Sequence, residues 1–471
     1  MIGITAYGAY VPLNRMERKR IGEVFGERGL PGERAVANYD EDSVSMAVNA
    51  AIDCLTGFEP KKVDGLYFAT TSATYKEKLA ATTIACATDL REDIRTADFT
   101  DTMRACSTAM SIAFDAIKSG AANSMLVCAA DCRLGAVTGA LEQTLGDGGA
   151  AFLLGKENII AELEDALTVS DEFIDYWRNA KDTYVRSWEE RFAITEGYNR
   201  VVKEAVTRLL KKNNLTPKDF SKIVLYGPTP RHQTDMAKML GFDREQVQDN
   251  LYSTVGIAGV ANAPMMLVGA LEDAVPGDKI LFVTYGEGSD VIIFKATDDI
   301  RHLPPRLGLR GHLHSKKNTM LYTTYLKWRN LLDLEPPRRP ERQNPSVPAM
   351  WRKYKQNLAL YGSKCQGCGT PQFPIQRVCT HCQAKDKYDL YRFTGRVAKV
   401  TSFTMDYLTS SPDPPAIYVV VDYEGGGRMV CEMIDCEPEK LFIGAEVTPT
   451  FRKLYEKNGI SNYSWKVQLK R

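Results

Sequence analysis

One cysteine, Cys106, stands among small residues in the segment TDTMRACSTAM (100–110), just where an apolar stretch with helical periodicity begins. A cysteine acts as a nucleophile through its thiolate, and the unpaired N–H groups and dipole at a helix N-terminus stabilise that anion. The amphipathic stretch through Gly120 predicts a helix with Cys106 in its first turn. Taken alone, the segment leaves two interpretations open, a nucleophilic thiol and a buried core cysteine.

Four further cysteines near the carboxyl end of the sequence have the spacing of a metal site. The pairs CQGC (365–368) and CTHC (379–382) form the pattern C-x₂-C-x₁₀-C-x₂-C, which suits a structural zinc ion better than free thiols or a redox pair. Because four thiolates complete the shell, we expect His381 to be a bystander and the zinc not to catalyse. The predicted ligands are Cys365, Cys368, Cys379 and Cys382.

The elements that must position Cys106 are predicted from an alternation of strands and helices over residues 1–300. Short apolar runs typical of buried strands cover 63–72, 124–131, 222–228 and 279–286. Helix-like segments cover 43–55, 106–119, 195–212 and 257–274. This alternation predicts an α/β fold with buried strands.

An internal duplication of layout is visible within these 300 residues. In the first half a helix leads to the strand at 124–131 and then to LGDGGAAFLLG (145–155); in the second, a helix leads to the strand at 279–286 and then to GEGSDVIIFKA (286–296). Each half therefore ends in a strand, a glycine turn and another strand, and two such halves would place similar turns around one central site. Gly286 and Gly288 either bring backbone groups close to the cysteine or serve turn geometry alone.

Beyond residue 300 the sequence changes character. Proline-rich connectors flank a helix predicted at 319–334, which Pro336 and Pro337 are expected to end. A further helix leads into the cysteine-rich ribbon, and five short β-branched runs after it predict a small barrel. The predicted domains are two α/β halves (1–165 and 166–300), a linker with a helix (301–350), a helix with the ribbon (351–390) and the barrel (391–471).

The composition bounds the class of protein. The chain has 471 residues, 44% hydrophobic and 25% charged, with a formal net charge of +1, so no global basic field favours nucleic acid. The N-terminal residues lack the pattern of a signal peptide, and no apolar run approaches the ~20 residues of a membrane span. The scattered remaining cysteines are typical of reduced thiols. We expect a cytoplasmic protein that binds neither nucleic acid nor a membrane.

Several segments of residues 1–297 share the pattern of one known family. They are GITAYGAYVP (3–12), EDSVSMAVNAA (41–51), RACSTAMSIAFDAIKSG (104–120), DYWRN (175–179), YVRSWEERF (184–192), DNLYSTVGIAGVANAPMML (249–267) and TYGEGSDVIIF (284–294). With them, most of residues 1–297 resembles the hydroxymethylglutaryl-CoA synthase branch of the thiolase superfamily, and the ribbon and barrel resemble the zinc-ribbon/OB-fold modules that accompany thiolase-like acyltransferases. The resemblance implies a duplicated five-layered αβαβα fold, a homodimer, coenzyme A thioester substrates and an acylated Cys106; a partner subunit is also considered.

The same resemblance assigns roles and also exposes departures. Asn250 matches the family asparagine that positions the thioester carbonyl, although an asparagine here is also typical of a cap or turn. Thr71 stands where the family has its glutamate acid/base, and a hydroxyl cannot replace that carboxylate near neutral pH. Tyr226 occupies the place of the catalytic histidine. His232, in a His-Gln pair resembling that of ketoacyl synthase III enzymes, is a general base, an oxyanion donor or a surface histidine.

The predicted function is acyl transfer between coenzyme A thioesters. Cys106 would form an S-acyl intermediate, and a carbon–carbon bond would then be made or broken with His232 and Asn250 assisting. The alternatives are a condensing enzyme similar to ketoacyl synthase III, a thiolase for a specialised acyl-CoA, and a non-catalytic thiolase-fold scaffold. Glu287, between two glycines, is a candidate substitute for the missing acid.

Overall fold

The computed structural model describes residues 1–335 and 347–471. The chain forms two compact units, one of residues 1–37, 42–85 and 90–322, and another of residues 38–41, 86–89 and 323–471. The prolines predicted to end the helix near residue 334, and most of the second connector, lie outside the described residues. Within those residues, no helix is both long enough and apolar enough to span a bilayer.

Residues 1–322 contain thirteen strands and ten α-helices. The strands are β1 (Gly3–Tyr10), β2 (Arg15–Glu17), β3 (Glu33–Ala35), β4 (Gly65–Ala69), β5 (Arg95–Phe99), β6 (Ser124–Asp131), β7 (Gly148–Gly155), β8 (Ala161–Ser170), β9 (Tyr176–Trp177), β10 (Arg186–Ser187), β11 (Lys222–Leu225), β12 (Lys279–Tyr285) and β13 (Gly288–Ala296). The helices are α1 (Lys19–Phe25), α2 (Ser43–Cys54), α3 (Ala81–Ala87), α4 (Ala105–Lys118), α5 (Ala140–Thr144), α6 (Glu190–Phe192), α7 (Arg200–Asn213), α8 (Pro230–Leu240), α9 (Asn262–Asp273) and α10 (Gly308–His314).

The duplication predicted from the sequence is present in the strand order of the main sheet. Nine strands pair in the order β11-β12-β13-β8-β1-β7-β6-β4-β5. In one half β4 and β6 are parallel and β7 is antiparallel to β6; in the other β11 and β12 are parallel and β13 is antiparallel to β12. Each half therefore repeats a parallel pair followed by an antiparallel hairpin, and the halves join where β1 pairs with β8.

Helices cover these strands on both sides, giving the predicted αβαβα layers. Helix α2 packs on β1, β6 and β7, and α7 packs on β8 and β13. Between the halves lie α4 and α9; α9 contacts strands of both halves and is almost wholly buried. Helix α9 begins at Asn262 rather than near residue 257, because a 3₁₀ turn precedes it, and a π-helical segment (Ala193–Asn199) precedes α7.

The second unit carries the cysteine ribbon and a closed barrel. The helices are α11 (Tyr322–Trp328), α12 (Val347–Arg352) and α13 (Tyr354–Ala359), and the strands are β14 (Tyr361–Cys365), β15 (Pro371–Gln372), β16 (Tyr388–Arg392), β17 (Ala398–Asp406), β18 (Ala416–Tyr423), β19 (Arg428–Met433), β20 (Glu446–Lys457) and β21 (Ile460–Leu469). Residues 361–392 form a three-stranded sheet, and the barrel has the strand order β17-β18-β19-β21-β20. The predicted helix at 319–334 is shorter than expected, and the next one is broken at Lys353.

Candidate functional site

A cavity of about 1010 Å³ opens in the first unit, where strands of both halves end. Thr71 follows β4, Arg133 follows β6, Tyr226 follows β11 and Tyr285 ends β12, and all four side chains line it. Ligands of α/β proteins bind outside the carboxyl ends of parallel strands, because loops and helix starts converge there. The two halves thus build one shared site, as the duplicated sequence layout predicts.

Aromatic side chains from the segment between β8 and α7 form one wall of the cavity. Phe173 and Phe192 stack with ring centroids 5.4 Å apart, and Trp177 and Trp188 pair at 6.1 Å. Trp188 is 56% exposed and Phe192 48% exposed, which leaves apolar surface at the cavity that a ligand can cover.

The segment before helix α4 reaches the cavity through Met103. Both Thr102 and Met103 line the cavity, and the turn at Gly286 packs directly on them. A Cβ atom on Gly286 would lie 2.9 Å from the Thr102 hydroxyl oxygen and 3.0 Å from the Met103 amide nitrogen, so only glycine fits. The glycine turn therefore approaches the residues before the helix, not Cys106.

Arg104, at the start of α4, fixes that turn from the other side. Its Nε donates to the Gly286 carbonyl oxygen at 2.7 Å, and its Nη1 contacts Asp290 Oδ1 at 3.0 Å. Asp290 is itself buried and accepts from the Ser107 hydroxyl of α4 at 2.6 Å. This network ties the turn to α4 and presents Glu287 at the cavity.

Glu287 has the features of an acid/base group held ready for a ligand. It adopts a φ of 42°, which is uncommon for a residue with a side chain. Its Oε2 atom is buried, with no hydrogen-bond partner among the described residues. Burial raises the pKa of its carboxyl, against a smaller lowering by Thr102. Strain and a buried oxygen with no partner among the described residues both carry a folding cost, a combination typical of functional sites.

A second carboxyl, that of Asp175, lies in the same cavity. The Tyr176 amide donates to Asp175 Oδ1 at 2.6 Å, and the Tyr285 hydroxyl interacts with this carboxyl as well. Burial is the largest influence and raises the pKa of Asp175. Asp175 also raises the pKa of Glu287 through charge repulsion, so the two carboxyls are electrostatically linked.

The two positions where the family's glutamate and histidine were expected both face the cavity. Thr71 donates its hydroxyl to Asp131 Oδ2 at 2.6 Å, and its amide donates to Asp131 Oδ1 at 2.8 Å. The Thr71 hydroxyl proton is therefore already engaged. Burial raises the pKa of Tyr226 well above its usual range, so this phenol stays protonated at neutral pH.

Cys106 occupies the predicted place in sequence but not in the cavity. It is the second residue of α4, and it is 1% exposed within the apolar core. Burial raises the pKa of its thiol to about 12. The pKa of Cys128 on β6 is raised mainly by burial and, to a smaller extent, by the thiols of Cys54 and Cys106. Cys106 therefore lies close to that strand. Its role as nucleophile stays a prediction, one that requires the thiol to be uncovered.

His232 and Asn250 also lie outside the residues that line the cavity. His232 Nδ1 is 3.0 Å from the hydroxyl oxygen of Thr229, the residue that caps α8. The Asn250 side chain donates to Gln233 Oε1 at 2.9 Å and accepts from the Tyr252 amide at 3.0 Å. Both side chains thus serve local structure here, and their catalytic roles stay predictions.

Sequence reasoning missed Arg133 and gave Asp175 no role of its own. Arg133 stands two residues beyond a buried strand, the position from which side chains reach a site at a sheet edge. That signal was available in CAADCR (128–133). Asp175 opens the DYWRN segment, but which side of the cavity that segment forms depends on the packing of β9 and β10.

The four predicted zinc ligands converge in the second unit. All four Sγ atoms lie within 4.8 Å of one another, and the contacts Cys365–Cys382 and Cys368–Cys379 are both 3.6 Å. Tetrahedral zinc with bonds of about 2.3 Å to sulfur requires sulfur–sulfur separations of about 3.8 Å. The Gly367 and His381 amides point at ligand sulfurs, at 3.3 and 3.4 Å. The cluster therefore fits a structural zinc ion.

Protein-family models match parts of both units. Residues 352–387 match the rubredoxin-like zinc ribbon domain of ChsH2, and residues 391–452 match the ChsH2 C-terminal OB-fold domain. Residues 210–292 match the C-terminal domain of 3-oxoacyl-[acyl-carrier-protein] synthase III. The fold predictions for the ribbon, the barrel and the thiolase-like part are confirmed.

Relatives and solved structures extend the likeness over the first unit. The hydroxymethylglutaryl-CoA synthase of Thermococcus sibiricus is 32% identical over 70% of this chain and 96% of its own length, and that of Methanocaldococcus jannaschii is 31% identical over 71% and 100%. A crystal structure of a hydroxymethylglutaryl-CoA synthase complexed with CoA has a TM-score of 0.64 at 20% identity, covering 69% of this chain and 89% of the other. Aquifex aeolicus 3-oxoacyl-[acyl-carrier-protein] synthase III gives 0.54 at 20% identity, covering 63% and 100%. The chain belongs to the hydroxymethylglutaryl-CoA synthase family of acyltransferases, with a zinc ribbon and an OB-fold barrel following the thiolase-like fold.

Proposed function

We propose that this acyltransferase binds an acyl-CoA in the cavity of the first unit and makes or breaks a carbon–carbon bond there, with Glu287 moving the proton at the α-carbon of the thioester. The observation that carries the proposal is the Glu287 carboxyl, which lines a cavity of about 1010 Å³ and has a buried oxygen with no hydrogen-bond partner in residues 1–335 and 347–471. A carboxyl of raised pKa is a suitable proton acceptor for catalysis near neutral pH.

The proposed condensation transfers two protons. The Glu287 carboxylate removes a proton from the α-carbon of the acyl-CoA, and the resulting enolate carbon attacks the carbonyl carbon of a second substrate. The alkoxide formed in this step takes a proton from solvent, and Glu287 returns its proton to solvent, so no net proton is consumed. In the cleavage direction the steps run in reverse, and the protonated Glu287 carboxyl delivers a proton to the α-carbon.

The apolar wall of the cavity supports a thioester substrate. Trp177, Trp188 and the Phe173–Phe192 pair offer aromatic surface for the acyl chain and the pantetheine arm. Substrate bound there would exclude water from the carboxyls, which strengthens electrostatic interactions in the cavity. The relative solved with CoA makes a CoA thioester the preferred substrate class.

The route through an S-acyl-Cys106 is the second candidate, and the position of Cys106 in the first turn of α4 favours it. Against it stand the buried thiol, its pKa of about 12 and its absence from the cavity lining. A condensing enzyme similar to ketoacyl synthase III, a thiolase and a non-catalytic scaffold remain the alternatives. That the chain forms a homodimer, and that it binds a partner subunit, both stay predictions.

Exchange of the α-protons of an acyl-CoA with deuterium oxide tests the proposal, because it reports proton removal without needing the second substrate. Wild-type protein should incorporate deuterium, Glu287→Gln should slow exchange by about 100-fold or more, and Cys106→Ala should leave the rate unchanged. Loss of exchange in Cys106→Ala, with full exchange in Glu287→Gln, would overturn the assignment. Absence of both exchange and acylation across an acyl-CoA panel would favour the scaffold.

A further inference from the structure

Asp290, the third residue of β13, is a buried carboxylate that accepts hydrogen bonds from two neighbouring elements. Its Oδ1 atom accepts from the Thr168 hydroxyl on β8 at 2.8 Å, and its Oδ2 atom accepts from the hydroxyls of Ser107 and Thr108 on α4 at 2.6 and 3.2 Å. These donors are neutral, so they satisfy the oxygens without balancing the charge. A buried carboxylate is costly unless a positive group is paired with it.

Arg104 supplies that positive charge and reaches the Glu287 turn with the same guanidinium group. Its Nη1 atom lies 3.0 Å from Asp290 Oδ1. Its Nε atom donates to the Gly286 carbonyl oxygen at 2.7 Å, and its Nη2 atom lies 3.5 Å from the Glu287 carbonyl oxygen. Because a guanidinium is planar and rigid, it joins Asp290 to the carbonyl oxygens before and after the Glu287 Cα atom.

This ion pair acts on the cavity without lining it. Neither Asp290 nor Arg104 is among the residues that line the cavity, whereas Gly286 and Glu287 both line it. The backbone of Glu287 has a φ of 42°, a conformation that persists only where surrounding contacts hold it. From the β8 side, the Asp171 amide donates to the Glu287 carbonyl oxygen at 3.2 Å. The ion pair can therefore influence the Glu287 carboxyl without touching a substrate.

The charge of Arg104 also acts on the Glu287 carboxyl. Burial is the largest influence on the pKa of this carboxyl and raises it, and a hydrogen bond with Thr102 lowers it. Two carboxyls raise the same pKa further, whereas the guanidinium lowers it. The charged or titratable neighbours of Glu287 are Arg104, Glu172, Asp175 and Tyr285. Because Asp290 is paired with Arg104, its negative charge offsets part of the guanidinium's effect.

We propose that Asp290 is a positioning residue of the reaction, which through Arg104 holds the Glu287 turn at the cavity and balances the positive charge beside that turn. The proposal rests on the proposed function, because it concerns the same carboxyl. Removing the Asp290 charge while keeping its shape should leave Arg104 unbalanced, so that Glu287 ionises at lower pH. Removing the Arg104 charge should have the opposite effect. A network that served the fold alone would not move the two variants in opposite directions.

The pH dependence of α-proton exchange from acetyl-CoA in deuterium oxide tests the inference in the full-length protein. Asp290→Asn should lower the midpoint of exchange by about 0.5 pH unit or more, and Arg104→Gln should raise it by a similar amount. The maximal rate of Asp290→Asn should fall by about tenfold with little change in KM, because Asp290 does not line the cavity. Asp165→Asn removes a carboxylate from the surface pair with Lys212 and should keep the wild-type midpoint.

The outcomes separate this inference from the proposed function. Unchanged midpoints in both variants, or shifts in the same direction, would overturn the inference and leave the proposed function intact while Glu287→Gln still slows exchange. Exchange at the wild-type rate in Glu287→Gln would instead overturn the proposed function. Circular dichroism shows whether each variant is folded. If Asp290→Asn is not, Arg104→Gln decides alone, since a midpoint at or below the wild-type value would contradict the inference.

Discussion

The zinc ribbon and the cavity differ in whether their polar groups face suitable partners. In the ribbon, four thiolates face one another and would fill every position around a zinc ion. In the cavity, Glu287 has a buried oxygen with no partner in the part of the chain that the structure describes, and the Arg133 guanidinium contacts the Met103 thioether. The ribbon therefore uses its polar groups for stability, whereas the cavity leaves polar groups available to a ligand at a cost in stability.

Removing the metal should have the largest effect, because a single ion would join both cysteine pairs of the ribbon. A Cys379→Ser variant, or treatment with a strong chelator, should abolish zinc binding and the protection of the β14 and β16 amides from hydrogen exchange. The measurement is zinc content per chain together with amide exchange by mass spectrometry. His381→Ala is the matched control and should retain one zinc ion; loss of zinc in that variant would contradict the four-thiolate site.

Thiol labelling compares the accessibility of position 103, at the cavity, with that of Cys106, three residues further along the chain. Iodoacetamide should leave Cys106 of the folded wild-type protein unmodified, since the thiol is buried with a pKa of about 12. A Met103→Cys variant places a thiol at the cavity, where labelling should be fast and an acyl-CoA should protect it. Peptide mapping gives both rates. Rapid, acyl-CoA-sensitive labelling of Cys106 in wild-type protein would contradict its burial.

The pH dependence of α-proton exchange should follow the Glu287 carboxyl. Burial raises its pKa, and only the ionised form accepts a proton. Exchange should therefore be low in acid, rise as the pH passes through the raised pKa, and have its midpoint above the ordinary glutamate value of about 4.3. A midpoint at or below that ordinary value would argue against a buried catalytic carboxyl.

The smallest expected effect is the contribution of backbone strain at Glu287 to the free energy of unfolding. Glycine adopts a φ of 42° without strain, whereas alanine does not. Glu287→Gly should therefore be more stable than Glu287→Ala by about 1 kcal/mol, as measured by urea unfolding, although neither variant should catalyse exchange. Equal stability of the two variants would indicate that the backbone at position 287 is not strained.

The same two regions differ in how far the sequence predicts them. The zinc site is predictable because residues 365–382 contain all four ligands, so local spacing alone sets the geometry. The layered fold is predictable because strand and helix periodicity repeat in both halves. The cavity is less predictable, because its lining residues are far apart in the sequence and meet only after the strands of the main sheet pair. These residues include Thr71, Arg133, Asp175, Tyr226 and Glu287.

Cys106 shows why a local motif does not suffice. Its position in the first turn of α4 is as predicted, but the rotation of that helix decides whether its second residue faces the cavity or the strand β6. The Ser107–Asp290 hydrogen bond and the packing of Gly286 on Met103 set that rotation. These contacts join residues about 180 positions apart, which no local pattern reveals.

One experiment tests the central claim, that chemistry occurs at the Glu287 cavity and not at a Cys106 thioester. Full-length wild-type protein is incubated with an acyl-CoA in deuterium oxide. The masses of the recovered thioester and of the intact protein are then measured by mass spectrometry. We expect deuterium at the α-carbon of the thioester and no acyl mass on the protein. An acyl adduct that maps to Cys106, with exchange lost in Cys106→Ala, would contradict it.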